Sequence, residues 1–229
     1  MSWNIILFGD SDISRWPPSA YPSSSKIWPK ASNYGESGAG LTDVLHQIDQ
    51  WKLQIEDGTN AIENDDDTVN TNNLFVCCAG ENDIGSGRSL DSILETFRAV
   101  LDDLFPANDD SKKQQQLLSP SNESKMIFFG PKFEPWLADD NASRKRYAKL
   151  NNGFQRAIHN HPMSDRMKYI DCLTLFCTKD SATLPGAIYG GKAMADNKYF
   201  DADGLHLNDV GYGVWRRMVE ETFVDWNGE

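Results

Sequence analysis

The sequence predicts an α/β fold in which a mostly parallel sheet is covered by helices on both faces. Three observations carry this. Short apolar runs alternate along the chain with stretches of helical periodicity, the order that strand–helix–strand units require. The strand-like runs are continuously apolar, as in strands buried on both faces. The chain has 229 residues, enough for one such domain with a substantial core and too few for two generous ones. The span 1–229 is therefore expected to be a single domain.

The elements follow in order. Ile5 to Phe8 opens the chain as a buried strand. Leu41, Val44, Leu45, Ile48, Trp51 and Ile55 recur at helical spacing. Leu74 to Cys78 reads as a second buried strand. Leu90, Ile93, Leu94, Phe97, Leu101 and Leu104 fit an amphipathic helix, with Ser89 as N-cap and Asp91 in its first turn. Met126 to Phe129 is the next strand, stopped by Gly130-Pro131. Tyr147, Leu150, Phe154 and Ile158 mark a further helix, and Tyr169 to Leu173 the last strand. Val214, Trp215, Met218 and Val219 share one face of a C-terminal helix that begins near Asn208. Two polar stretches, near 56–73 and 106–124, interrupt this pattern and are expected to be surface loop insertions. No internal repeat is visible.

Composition narrows the function. The net charge of -12 repels a phosphate backbone or an anionic membrane surface, so nucleic acid is not an expected partner. No apolar run approaches the ~20 residues of a membrane span. The first residues lack a basic segment followed by a long apolar one, so a cytoplasmic location is expected. The four cysteines, Cys77, Cys78, Cys172 and Cys177, show no Cys-x-x-Cys spacing. They are expected to be reduced structural thiols rather than a disulfide or metal site. Asn122-Glu123-Ser124 and Asn141-Ala142-Ser143 match a glycosylation triplet, but carry no expectation without a leader.

In a parallel sheet, ligands bind beyond the carboxyl ends of the strands. That rule gathers Gly9-Asp10-Ser11, Gly80-Glu81-Asn82-Asp83 and Gly130-Pro131 at one rim. Ser11 follows the first strand directly, where a nucleophile at a strand-to-helix turn has its hydroxyl exposed and free N–H groups beside it. A serine hydroxyl needs a base, and the base needs an orienting carboxylate. Among the four histidines, only His206 stands in such a local arrangement, Asp203-Gly204-Leu205-His206. His46, His159 and His161 are expected to be surface histidines. Gly38, just before the helix that starts near Leu41, can aim an unpaired N–H at an anion, and the Asn82 amide can donate as well. Asp10 and Asp83 are expected to fix turns. Gly35-Glu36-Ser37-Gly38-Ala39 nearly matches another nucleophile turn but lacks its last glycine and a preceding apolar strand, which makes Ser37 a minor rival to Ser11.

Together these blocks resemble the SGNH (GDSL-like) hydrolase family. The four residues of its name correspond to Ser11, Gly38, Asn82 and His206, in order, and the resemblance spans residues 5 to about 219. Gly35 and Gly40 compete with Gly38, which is preferred on the Asn33-x-x-x-Ser37-Gly38 spacing. Lys132-Phe133-Glu134-Pro135 also looks like a recurrent family segment. The resemblance implies a flavodoxin-like three-layer sandwich with about five parallel strands. It implies Ser11 as nucleophile, His206 as general base and acid, and Asp203 orienting it. The N–H groups of Ser11 and Gly38 and the Asn82 amide would form the oxyanion hole. No metal or organic cofactor is implied. One departure is Asp12, where the family usually has leucine, so that a charge beside Ser11 is expected to act on His206 or on substrate choice.

The expected function is hydrolysis of a carboxylic ester with a short, acetyl-type acyl group. Trp16, Trp28 and Trp136 are the aromatic candidates for the pocket wall. An acyltransferase or a lysophospholipase on the same site is the alternative. A non-catalytic binding module on a flavodoxin-like scaffold is the remote one.

Overall fold

A computed structural model describes residues 3–22, 30–57, 72–106, 124–179 and 193–227. At its centre lies a five-stranded sheet in the order β2-β1-β3-β4-β5, with every neighbouring pair parallel. The strands are β1 (Trp3–Gly9), β2 (Lys30–Asn33), β3 (Asn72–Cys78), β4 (Lys125–Phe129) and β5 (Met167–Ile170). The α/β class and the parallel sheet are as the sequence predicted, and five is the strand number that the family resemblance implied.

Alternation along each strand sorts side chains between two cores. Ile6 and Phe8 of β1, Phe75 and Cys77 of β3, and Met126 and Phe128 of β4 point to one face. There they meet α2 (Leu41–Glu56), α4 (Leu90–Leu104) and α5 (Asn141–His159). Phe97 of α4 and Phe154 of α5 lie 4.3 Å apart, and Phe97 stands 4.6 Å from Phe128 beneath them. Each such ring taken fully from water contributes roughly 1.5–3 kcal/mol. The intervening residues Ile5, Leu7, Leu74, Val76, Ile127 and Phe129 face the opposite way, toward α1 (Ser11–Arg15), the single-turn α6 (Cys172–Leu175) and the C-terminal α7 (Asp209–Asn227). Trp16, packed with Trp215 and Tyr212, closes that second core. The result is three layers, helix–sheet–helix.

Several boundaries move. β2 is polar, Lys-Ala-Ser-Asn, and sits at the sheet edge, so it leaves no apolar run in the sequence. The last strand ends at Ile170 rather than Leu173, because Asp171 accepts from the Thr174 N–H and caps α6. Asn72 and Asn73, expected in an insertion, belong to β3 and pair with Trp3 and Asn4. The rest of the two expected insertions, residues 58–71 and 107–123, lies outside the described residues, as does Trp28.

Cys77, Cys78, Cys172 and Cys177 are buried and unbridged. His161 is buried rather than on the surface: its Nδ1 accepts from the Met163 N–H at 3.1 Å in the reversal that follows α5. Among the described residues no helix is long and apolar enough to cross a membrane.

Register decides where the loops go. Gly9 is paired with Cys78, Cys78 with Phe129, and Phe129 with Ile170. The strands thus end in one row, and the segments after β1, β3 and β4 emerge side by side.

Candidate active site

Ser11 is placed by the end of β1. Gly9 has φ +150°, and a Cβ there would lie 2.1 Å from the Cys78 carbonyl oxygen, so only glycine allows this turn so close to β3. Gln47 of α2 holds the same residue from both sides, accepting from the Gly9 N–H at 2.8 Å and donating to its carbonyl at 3.0 Å. Asp10 then caps α1, accepting from the Asp12 N–H at 3.0 Å. Ser11 becomes the first residue of α1, and among the described residues its N–H has no acceptor.

His206 is placed by a tight loop before α7. An isolated bridge joins Phe200 to Leu207, and Gly204 turns the chain between them at φ +65°. Asp203 Oδ1 accepts from the N–H groups of Leu205 and His206 at 2.9 and 3.0 Å. Its Oδ2 faces His206 Nδ1 at 2.7 Å, and His206 Nε2 faces Ser11 Oγ at 3.1 Å. The hydrogen bond from the His206 ring, aided by the two backbone donors, holds the Asp203 carboxyl well below the usual carboxylate range. An ionised carboxylate only accepts, so Nδ1 carries the ring proton and Nε2 is left to accept from Ser11. The structure thus joins Ser11, His206 and Asp203 in one hydrogen-bonded chain.

The two remaining blocks meet beside it. Asn82 lies in the short α3 (Glu81–Gly85). Its amide donates to the Ala39 carbonyl at 2.9 Å, which ties α3 to the glycine-rich segment and leaves its second N–H without an acceptor among the described residues. The three glycines of that segment separate clearly. Gly35 donates its N–H to Asn33 Oδ1 at 2.8 Å, and Gly40 to Asp43 Oδ2 at 2.8 Å. Gly38, at φ +83°, has no hydrogen bond on its N–H among the described residues. Asp83 fixes this geometry, as expected for a turn residue: its buried carboxylate accepts from the Leu41 N–H at the start of α2 and binds Arg88. Ser37 is exposed and forms no hydrogen bond with any histidine among the described residues.

A cavity of about 410 Å³ opens over Ser11, Asn82 and His206. Trp136 stands at its edge, 58% exposed, with its Nε1 donating to Glu134 Oε2 at 2.9 Å. Trp16, the other described aromatic expected in the wall, is 1% exposed and belongs to the second core instead. Gly38 lies outside the lining of this cavity.

Beneath the cavity lies a feature that sequence reasoning missed. Lys132, 1% exposed, places its Nζ 2.6 Å from Asp12 Oδ2, 2.8 Å from Glu81 Oε2 and 3.2 Å from Glu134 Oε1. Its own N–H donates to Glu81 Oε1 at 2.7 Å. Asp12, the residue after Ser11, therefore has its carboxylate paired within this cluster rather than free beside the serine. Its Oδ1 accepts from the Leu207 N–H at 3.1 Å, and its carbonyl from the Tyr212 hydroxyl at 2.9 Å. Burial works to remove the proton from Lys132, but Asp12, Glu81 and Glu134 outweigh it and raise its pKa well above that of a free lysine. Burial, with Glu81 close by, raises Glu134; burial, with Asp12 and Glu81, raises Asp10. One ammonium thus links the residue after Ser11 to the residue before Asn82.

No protein-family model matches the sequence, and no curated protein does. Solved structures do. A member of the lipolytic protein G-D-S-L family from Veillonella parvula is 21% identical, with a TM-score of 0.54, over 97% of this chain and 98% of that one. The esterase EstA from a Pseudoalteromonas species is 13% identical, with a TM-score of 0.56, over 99% of both chains. The lipase Lip_vut3 from a goat rumen metagenome is 10% identical, with a TM-score of 0.62, over 96% and 97%. At such identities the likeness establishes architecture: this chain has the fold of the SGNH, or GDSL, hydrolases.

Proposed function

We propose that the protein is a serine esterase that hydrolyses short-acyl carboxylic esters. The observation that carries this is the Asp203–His206–Ser11 chain opening onto a cavity that Asn82 also lines. Ser11 Oγ attacks the ester carbonyl while His206 Nε2 takes the hydroxyl proton. Asp203, held ionised, stabilises the imidazolium that forms. The N–H groups of Ser11 and Gly38 and the free N–H of Asn82 receive the oxyanion. His206 then returns the proton to the departing alcohol, leaving an acyl-enzyme. Water, activated by the same ring, releases the carboxylic acid and restores Ser11.

Chain length follows from the floor. Glu81, Lys132 and Glu134 line the cavity, and a long alkyl chain laid over them would desolvate polar groups with nothing to offer in return. The GDSL-like esterases and lipases of the same fold support a hydrolase.

The test is hydrolysis of p-nitrophenyl acetate, butyrate and octanoate at about pH 8 by wild type and Ser11→Ala. The expected result is turnover falling from acetate to octanoate in wild type, and a loss of at least about 10³-fold in the variant. Equal activity of the two proteins would remove Ser11 as nucleophile.

A further inference from the structure

The cavity over Ser11 holds two long cationic side chains, and they differ in their company. Lys132, in the floor, has three carboxylates within 3.2 Å. Arg146, half-buried on α5, has no carboxylate partner among the described residues. Among the described residues its one side-chain hydrogen bond runs from Nη2 to the Arg88 carbonyl at 2.8 Å. Resting on that carbonyl in a wall of the cavity, the guanidinium has further donors that no described residue engages.

Its perch is rigid. The Arg88 N–H donates to the Asp83 carbonyl at 3.1 Å, and the Arg88 side chain binds the Asp83 carboxylate, Thr96 Oγ1 at 2.8 Å and Ser92 Oγ at 3.0 Å. Asp83 in turn holds the start of α2. Arg146 is thus positioned by the framework that also sets Asn82. A guanidinium held in place loses little freedom when a ligand arrives, and its planar fork matches a carboxylate or phosphate. In a protein of net charge -12, a cavity cation that no described carboxylate pairs is a local reversal of sign. It lines the same cavity as the buried floor charges, whose own cation is already shared.

We propose that the ester taken by this cavity carries an anionic group, a carboxylate or a phosphate, and that Arg146 receives it. This rests on the esterase reading and names its substrate class. The anion sits on the acyl or the alcohol side of the ester, within one cavity's length of the carbonyl.

Two near-isosteric pairs read this directly. p-Acetoxybenzoate against p-acetoxybenzamide places the charge on the alcohol side. The p-nitrophenyl monoester of succinate against p-nitrophenyl succinamate places it on the acyl side. In one pair, wild type is expected to favour the charged member by about 10- to 100-fold in kcat/KM. Arg146→Gln should bring that ratio close to one, and Arg146→Lys should retain part of it. A ratio near one in wild type for both pairs, or the same ratio in wild type and Arg146→Gln, overturns the proposal. Calorimetric binding of the same four compounds to Ser11→Ala separates the two readings. Preferential binding of a charged member without any wild-type turnover would sink the esterase reading and keep the anion site. Turnover of the neutral esters with no preference in binding would do the reverse.

Discussion

Two polar assemblies meet at Ser11, and they are built on opposite terms. The Asp203–His206–Ser11 chain reaches the surface through its carboxylate: the Asp203 side chain is 42% exposed against 10% for His206, and the two share one four-residue turn. The Lys132 cluster is buried, and its four members come from three segments: Asp12 from α1, Glu81 from α3, and Lys132 with Glu134 from the stretch after β4. An exposed pair can lose a member with little effect on folding, because water replaces the partner. A buried pair cannot, because the charge left behind has no solvent. The outer assembly is therefore expected to govern rate, and the inner one to govern fold and alignment.

Asp203→Asn tests that division most severely. It should lower kcat on the order of 10³- to 10⁴-fold, through loss of the correct ring tautomer. The unfolding midpoint in urea should barely move. A large loss of stability would show that the outer turn also supports the fold.

Lys132→Met should do the opposite in kind. It strands Asp12, Glu81 and Glu134 without a cation and should cost about 3–5 kcal/mol of unfolding free energy. Denaturant unfolding measures this. A loss below about 1 kcal/mol would mean that the cluster rearranges or neutralises without strain.

Asn82→Ala sits between the two assemblies. Removing its amide should lower turnover about 10²-fold, with the protein still folded. Unchanged turnover would take Asn82 out of the oxyanion hole and leave it only the tie to Ala39.

The smallest effect sharpens the inner term. Glu134 has a raised pKa, so the folded protein holds its proton at pH values where the unfolded chain has released it. Proton binding is then greater in the folded state, and stability falls as pH rises from the ordinary glutamate value through the folded one. Glu134→Gln removes that titration. Its stability–pH curve from about pH 5 to 9 should be flatter than that of wild type. Parallel curves would place the proton elsewhere in the cluster.

The legible parts of the molecule are those written locally. Phe8, Phe75 and Phe128 lie in short apolar runs, and Ser89 stands one residue before its helix, so strands and caps were read with small errors at the ends. Asp203 and His206 were legible because three residues separate them across a turn. β2 was not, since an edge strand can be polar. Nor were α1 and α3, which at five residues each are too short to show a helical period. Trp16 was misplaced because a position near the rim in sequence does not say which face of the sheet a ring falls on. Gln47 carried a faint signal, as a buried polar residue on the apolar stripe of α2.

By itself, the sequence determined the layered fold, the rim of the sheet as the candidate site, and which serine, histidine and aspartate to look for there. Tertiary structure supplied the distance of His206 from Ser11 across 195 positions and the absence, among the described residues, of an acceptor for the Gly38 N–H, and it alone decided that Asp12 turns inward to Lys132. The physical reason is range. Periodicity and capping act over a few residues and leave a trace in local order. The pairing of buried charges depends on distances that exist only once the strands are in register.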